Sequence, residues 1–360
     1  MKKFLSLLLS CLMAVTMLTG CSPKYEKFSE MMITPHYFNT IISIISYQPS
    51  QEKFDEMIDY IDSEMDRFNK LYDIYNTYSG MNNIKTINDN AGVAPVEVDK
   101  DIIELLLFSK EWHEKSGGRL NIALGSVLKV WHDTREAYDF GEEVSVPDMD
   151  LLKERAEHTD INCLEIDVEN STVYITDPEM SIDVGAVAKG YATERICDAL
   201  AEKYDNFIIS AGGNVRAHGS PKDDRERWGV AIENPMVDEN WQMIGGNIDM
   251  AYYNTDMSLV CSGGYQRFMI IDGQRYHHLV DPSTLKPEEV YRGVSILCED
   301  SGVADALSTT LFLMTPAQAM EFIETVPDAD CILIEMDGTM HKSSGVNNYL
   351  ASRGITNQTK

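Results

Sequence analysis

The sequence predicts an α+β fold, with mixed sheets and packed helices rather than a doubly wound parallel sheet. Two observations carry this. Short β-prone runs are joined by turn signals, Glu169-Asn170-Ser171, Asp272-Gly273 and Asp337-Gly338, and such turns close antiparallel hairpins. Between those runs lie apolar residues at helical spacing. Strands and helices alternate, yet the hairpins exclude an all-parallel arrangement. The 360 residues suffice for about two domains or one large one.

The elements follow in order. His36 to Tyr47 alternates Ile with Ser and predicts a strand. Ser50 is placed to cap a helix whose apolar positions are Phe54, Met57, Ile58, Ile61, Met65 and Phe68. Asp101 to Trp112 predicts a second helix, ended by Gly117-Gly118. Residues 133–148 are acidic and predict an irregular surface loop. Cys163–Val168 and Thr172–Ile175 predict a hairpin. Ser181–Val184 predicts a strand, followed by Gly185–Gly190 and a helix to about Lys203. Phe207–Ser210, Trp228–Glu233 and Val290–Leu297 predict strands, Arg267–Ile271 with Gln274–Leu279 a hairpin, Gly302–Leu313 a helix, and 329–341 a last hairpin. No repeat or low-complexity segment interrupts this order.

The ends differ from the body. Lys2 and Lys3 precede an apolar run of 14 residues, Phe4 to Met17. That run is shorter than the ~20 residues needed to span a bilayer and fits an export signal. Leu18-Thr19-Gly20-Cys21 resembles a bacterial lipobox, which implies a lipidated Cys21 at a new N-terminus. Residues 21–35 then read as a lipid-anchored tether, 36–345 as the folded unit and 346–360 as a C-terminal tail. Cys163, Cys197, Cys261, Cys298 and Cys331 are scattered, odd in number and without a CxxC pair, so neither a zinc nor a disulfide framework is expected.

Charge excludes some partners. The chain carries 58 acidic against 30 basic residues, a formal −28, which becomes −30 once the two signal lysines are removed. Nucleic-acid binders need Lys/Arg patches, and passive adhesion to an anionic membrane needs the same.

Four clusters have chemistry to offer, each beside a plainer reading. Gly185–Gly190 leads into a helix with Lys189 in its first turn. Free amides, the helix dipole and the ammonium there favour an anion, or else the lysine is simply solvated. Gly212-Gly213-Asn214 lets backbone approach a ligand, or makes a tight turn. His277-His278 before Asp281-Pro282 offers a ligand, an acid/base or a structural histidine. Asp305 and Thr309 share a helix face, where one carboxylate and one hydroxyl suit Mg²⁺ with substrate phosphates. A helix N-terminus with a favourably placed Asp305 is the alternative.

Taken in order, these segments resemble the ApbE family, the FAD:protein FMN transferases. Asp183–Ala192 is close to the family's Asp-x-Gly-x-x-Ala-Lys-Gly-Tyr-Ala, Gly212–Asn214 to its Gly-Gly-Asp/Asn turn, and Ser262-Gly-Gly-Tyr265 to its Ser-Gly-x-Tyr. His278–Pro282 matches His-x-x-Asp-Pro, and Ala304–Thr309 matches Ala-Asp-Ala-x-x-Thr. Tyr75–Asn88 and Gly125–Trp131 resemble its N-terminal aromatic and Gly-x₅-Trp segments. The resemblance covers roughly 36–345 and departs in three places. Phe38-Asn39-Thr40 stands for Met-Gly-Thr, Cys261 for a Thr, and His277 doubles the histidine.

The resemblance implies a single two-lobed unit with FAD between the lobes. It implies Mg²⁺ on Asp305, Thr309 and the main-chain carbonyl of Ala186, and FAD as substrate. Lys189 would contact the pyrophosphate and Tyr78 would stack on adenine. Gly213, Asn214, Ser262 and Tyr265 would line the flavin side, and His278 would lie near the reacting phosphate. His278, Asp305 and Lys189 are the implied catalytic groups. The implied reaction transfers FMN from FAD to a Thr or Ser hydroxyl of an exported or membrane-bound acceptor flavoprotein of an electron-transfer system, releasing AMP. FAD hydrolysis to FMN and AMP is one alternative, and a non-enzymatic FAD-binding lipoprotein is another. The implied location is the outer face of the bacterial cell membrane.

Overall fold

The computed structural model describes residues 25–33, 37–238, 241–265 and 267–358. The signal segment, Cys21 and His36 lie outside them.

Eight strands form one sheet, and their order across it is their order along the chain. They are β1 Glu26–Met32, β2 Ile42–Gln48, β3 Asn206–Ala211, β4 Asn214–Gly219, β5 Met257–Gly263, β6 Tyr291–Cys298, β7 Ala329–Glu335 and β8 Met340–Lys342. Every neighbour pair is antiparallel, as are the smaller hairpins, so the α+β class holds with no parallel pairing among the described residues. Side chains alternate with period two, and both faces are covered. Ile44, Val260, Ile296 and Leu333 enter one core, while Tyr47, Leu259, Leu297 and Ile332 enter the other.

The helices are α1 Gln51–Leu71, α2 Ile84–Asp89, α3 Lys100–Lys115, α4 Gly125–Asp139, α5 Met149–Ala156, α6 Ala188–Ala201, α7 Ser301–Phe312 and α8 Pro316–Ile323. They cover the first face, except α4 and α5, which build a separate core. Ser50 caps α1 as expected, its Oγ accepting from the Lys53 N–H. Phe54, Met57, Ile61, Met65 and Phe68 are buried, so the predicted stripe is the packed stripe. Buried at nearly every position, α7 lies against β5 and β6. A helix hydrophobic on most of its circumference belongs in a core, so the polar Asp305, Ser308 and Thr309 on it are conspicuous.

The second face is covered by the hairpin Trp228–Glu233/Asn247–Tyr253 and by the C-terminal residues. A third core joins α4 and α5 to the hairpin Phe268–Ile271/Gln274–His277, with Asp272 and Gly273 at positive φ in its turn.

Several boundaries move. Residues expected in the tether include β1, which pairs with β2 along its whole length. The strand expected from His36 begins at Ile42, because Phe38 and Asn39 turn the chain with φ of 50° and 57°. The loop expected at 133–148 starts as the last two turns of α4. Ser181–Val184 joins no sheet. Asn88 replaces a strand neighbour there, accepting from the Ile182 N–H at 2.8 Å and donating to its carbonyl at 2.9 Å. The expected tail is packed in part, with Val346 and Leu350 wholly buried. The five described cysteines are free thiols, as expected. No described helix is long and apolar enough to cross a membrane.

Candidate active site

The first turn of α6 meets the middle of α7 at Gly190. A Cβ on Gly190 would lie 2.4 Å from the Asp305 Cβ and 2.5 Å from the Ser301 carbonyl oxygen. Only a residue without a side chain allows this approach. It places the Gly190 N–H 2.8 Å from Asp305 Oδ2, to which it donates. Gly190 is in the first turn of α6, whose amides have no carbonyl partner within the helix, and Asp305 satisfies this one. Lys189 Nζ stands 3.7 Å from Asp305 Oδ1.

Asp305 is 5% exposed. Burial pushes its carboxyl up, opposed by the Lys189 charge and the Gly190 amide. Thr309 follows one turn later on the same face, also buried. Asp305 and Thr309 offer a carboxylate and a hydroxyl on one face of α7, hard oxygens that fit Mg²⁺ better than a softer metal. No group of three His, Cys, Asp or Glu is placed to hold a metal among the described residues.

A buried network fixes α7 from below. Glu194 on α6 accepts from Arg216 on β4 at 3.0 Å through both Nε and Nη2. The same carboxylate accepts from the Ser301 N–H, one of the free amides at the α7 N-terminus, at 2.6 Å. Asn214 Oδ1 accepts from Ser301 Oγ at 2.6 Å, and Asn214 Nδ2 has no partner. Asn214 thus sits beneath α7, while Ser262 reaches α7 from β5 by a 2.8 Å bond to Ser308 Oγ. Gly212 and Gly213 turn with positive φ, and Gly212 lies against Thr40 so closely that any Cβ would collide with it. Asn39, standing where the family has glycine, keeps the left-handed backbone that Asn tolerates.

The two histidines separate clearly. His277 is buried with both ring nitrogens used: Nδ1 accepts from the Leu279 N–H at 3.1 Å and Nε2 donates to the Glu288 carbonyl at 2.9 Å. Its pKa is pushed down to about 4, chiefly by desolvation. His278 is half-buried, with one long 3.4 Å contact from Nδ1 to the Arg267 carbonyl. Desolvation, then His277, Arg267 and Arg135, push its pKa down to about 3. Burial comes first among these causes, and the arginines of other elements add to it.

The remaining aromatic groups lie apart. The Tyr78 hydroxyl donates to Asp73 at 2.7 Å, and its ring faces Lys70. Tyr75 is 63% exposed and its hydroxyl lies 3.0 Å from His132 Nδ1. Tyr265 donates to Glu233 at 3.1 Å. The sequence reading passed over Tyr75, His132, Arg135, Glu194, Arg216 and Arg267. His132 and Arg135 were detectable as a basic pair one turn apart after Trp131.

The ApbE family model matches residues 38–333. The chain belongs to the ApbE family. It is 32% identical over 277 residues to the FAD:protein FMN transferase of Treponema pallidum (strain Nichols), covering 73% of each chain. It is 27% identical over 253 residues to that of Klebsiella pneumoniae (strain 342), covering 70% of this chain and 74% of the relative. The ApbE protein of Thermotoga maritima superposes with a TM-score of 0.75 at 26% identity, over 91% of this chain and 99% of that one. The flavin transferase ApbE of Vibrio cholerae, at 24% identity and a TM-score of 0.74, shares the fold. This ApbE-family chain is an enzyme of the transferase class, and its Gly190, Asn214, Ser262 and Asp305 segments meet around the α6–α7 crossing.

Proposed function

We propose that this chain transfers the FMN moiety of FAD to a Thr or Ser hydroxyl of an acceptor flavoprotein and releases AMP. The observation that carries this is the Gly190–Asp305 contact. It anchors a buried carboxylate beside Lys189 at the N-terminus of α6, with Thr309 one turn further along α7. The dipole of α6 and an ammonium at its N-terminus suit a pyrophosphate.

Asp305, Thr309 and the Ala186 carbonyl would hold Mg²⁺, which when bound neutralises charge on phosphoryl oxygens. Lys189 binds the same phosphates and offsets Asp305. The acceptor oxygen attacks the FMN phosphorus, its proton leaves to a base, and the bond to the AMP phosphate breaks. Alignment and charge neutralisation supply most of such catalysis. His278, the histidine of the His-x-x-Asp-Pro segment, is the candidate base. Tyr78, its hydroxyl tied to Asp73, is the candidate for stacking on adenine. A lipid on Cys21 would hold the enzyme at the outer face of the cell membrane, where exported acceptor subunits of electron-transfer systems are found.

The test is incubation with FAD and Mg²⁺, with and without candidate acceptors, read by mass. FMN appearing on the acceptor with equimolar AMP supports transfer. Free FMN at the same rate in both arms assigns hydrolysis instead, and FAD retained without AMP assigns simple binding. Lys189→Ala should weaken FAD binding in a flavin fluorescence titration, and unchanged affinity would remove Lys189 from the site.

A further inference from the structure

The chain enters the large sheet at the end opposite the phosphate site. Strand register shows it. Met32, the last residue of β1, pairs with Ile42, Ile42 with Ala211, Ala211 with Asn214, and Asn214 with Val260. That row leads to Asn214 and, two residues beyond Val260, to Ser262, the two side chains that reach α7. Glu26, the first residue of β1, pairs with Gln48 at the other end, where the Tyr25 hydroxyl donates to Asp205 at 3.1 Å just before β3. The seven residues of β1 therefore rise ~20 Å from the entry of the chain to the level of the site. The helix α6 spans the same distance, from Lys189 at the site to Ala201 shortly before β3, a rise of ~18 Å. The turn between β1 and β2 marks the site end: Thr40 lies against Gly212, and the Asn39 carbonyl accepts from Arg267 at 3.5 Å.

Cys21 precedes Tyr25 by four residues. Fully extended, four residues reach ~14 Å. A lipid on Cys21 would hold the Glu26 end of the sheet that close to the bilayer. Within this reach the body can stand upright or tip onto its β1 edge, and charge decides between the two. Beside β1 lies α1, with Phe54 stacked on Phe28 at 5.4 Å. The outer face of α1 exposes Glu52, Asp55, Glu56, Asp59 and Asp62. Tipping would press these carboxylates onto the headgroups, which an anionic bilayer opposes.

We propose that the anchored enzyme stands with the α6–α7 crossing turned away from the bilayer, holding the reacting phosphate ~20–35 Å above the headgroups. This rests on the lipidation of Cys21 and on the crossing as the site of FMN transfer. It defines the acceptor by reach. The modified hydroxyl belongs to a part of the acceptor that projects this far from the membrane, and a hydroxyl level with the headgroups is beyond the site.

The test uses the lipidated full chain on vesicles of phosphatidylcholine and phosphatidylglycerol that carry a rhodamine-labelled lipid. Fluorescein maleimide is placed on Glu26→Cys or on Ile41→Cys, at opposite ends of the first two strands. The unsubstituted chain, treated alike, gives the background from the native thiols. Neither FAD nor an acceptor protein is present, so the result is separate from that of the transfer assay. The Glu26→Cys label should lose more of its emission to rhodamine than the Ile41→Cys label. Cys21→Ala should release both labelled chains from the vesicles. A Gly/Ser spacer of about 20 residues after Lys24 spans ~25 Å and frees the body to turn, so it should bring the two losses together. Equal losses at the native tether length overturn the proposal. A larger loss at Ile41→Cys also overturns it, and would place the exposed Met31 and Ile33 of that edge on the lipid. Retention of Cys21→Ala on the vesicles overturns it as well, because the body rather than the anchor would then set the posture.

Discussion

The amide of Gly190 donates to Oδ2 of Asp305 at 2.8 Å, joining two helices at positions 115 residues apart in the chain. The bond exists because Gly190 has no side chain. Gly190→Ala would place a methyl against Asp305, the Ser301 carbonyl and Asn214 Nδ2. The helices would have to separate, at a cost of ~1–3 kcal/mol for overpacking. Transfer activity should fall much further than stability, because Asp305 loses its bond as well as its position. Urea denaturation and FMN transfer, measured on the same preparation, give the two numbers. A variant with full activity would show that the crossing has slack.

Asp305 is costly to the fold as well as useful to the site. Burial raises its pKa against the pull of Lys189 and the Gly190 amide. Asp305→Asn keeps an acceptor oxygen for that amide and removes the charge. It should leave thermal stability level or higher while Mg²⁺-dependent transfer is abolished. Asp305→Ala should also abolish transfer, with some loss of stability from the unpaired amide, ~1 kcal/mol. Full activity with Mg²⁺ in either variant would sink the metal assignment.

How much of this was legible in the sequence depends on range. Local signals were read well: the Ser50 cap, the Phe54–Phe68 stripe and the Asp272-Gly273 turn depend on neighbours in the chain. Ser181–Val184 failed because its partner is a side chain, Asn88, which lies 94 residues from Ile182. The site motifs were legible as motifs, while the role of Gly190 was not, since it appears only when α6 meets α7. Glu194 and Arg216 were invisible for the same reason: nothing local distinguishes a buried pair from two solvated charges. The pKa of His278 could not be anticipated either, because its burial is set by tertiary packing and Arg267 and Arg135 come from other elements.

The histidine pair makes a pH prediction. Both folded-state values, about 4 for His277 and about 3 for His278, lie below the ordinary ~6.5. Between those limits the unfolded chain binds more protons than the folded one, so stability rises with pH and falls as pH drops from ~6.5. Asp305 and Glu194 act oppositely, their raised values easing a burial cost on acidification. His278→Asn should therefore flatten the pH dependence of the denaturation midpoint below pH ~6.5 while reducing transfer. His277→Asn should cost ~1–3 kcal/mol by breaking two buried bonds. In kcat/KM for the wild type, no limb near 6.5 should belong to His278. A limb there that disappears in His278→Asn would show that its pKa is ordinary.

The Glu194–Arg216 pair tests whether α7 is held by charge or by packing. Arg216 is 4% exposed and Glu194 8%. Arg216→Ala leaves a buried carboxylate without its counter-ion, which should cost ~3–5 kcal/mol. Replacing both, as Glu194→Leu with Arg216→Met, removes the two charges together and should recover most of that loss. The recovery should be incomplete in function. The Ser301 N–H would still lose its acceptor at the start of α7, and the register of Asp305 against Gly190 depends on that end. The double variant should thus melt close to wild type yet transfer FMN more slowly and require more Mg²⁺. Equal stability losses in the single and double variants would mean that the pair contributes shape rather than charge compensation.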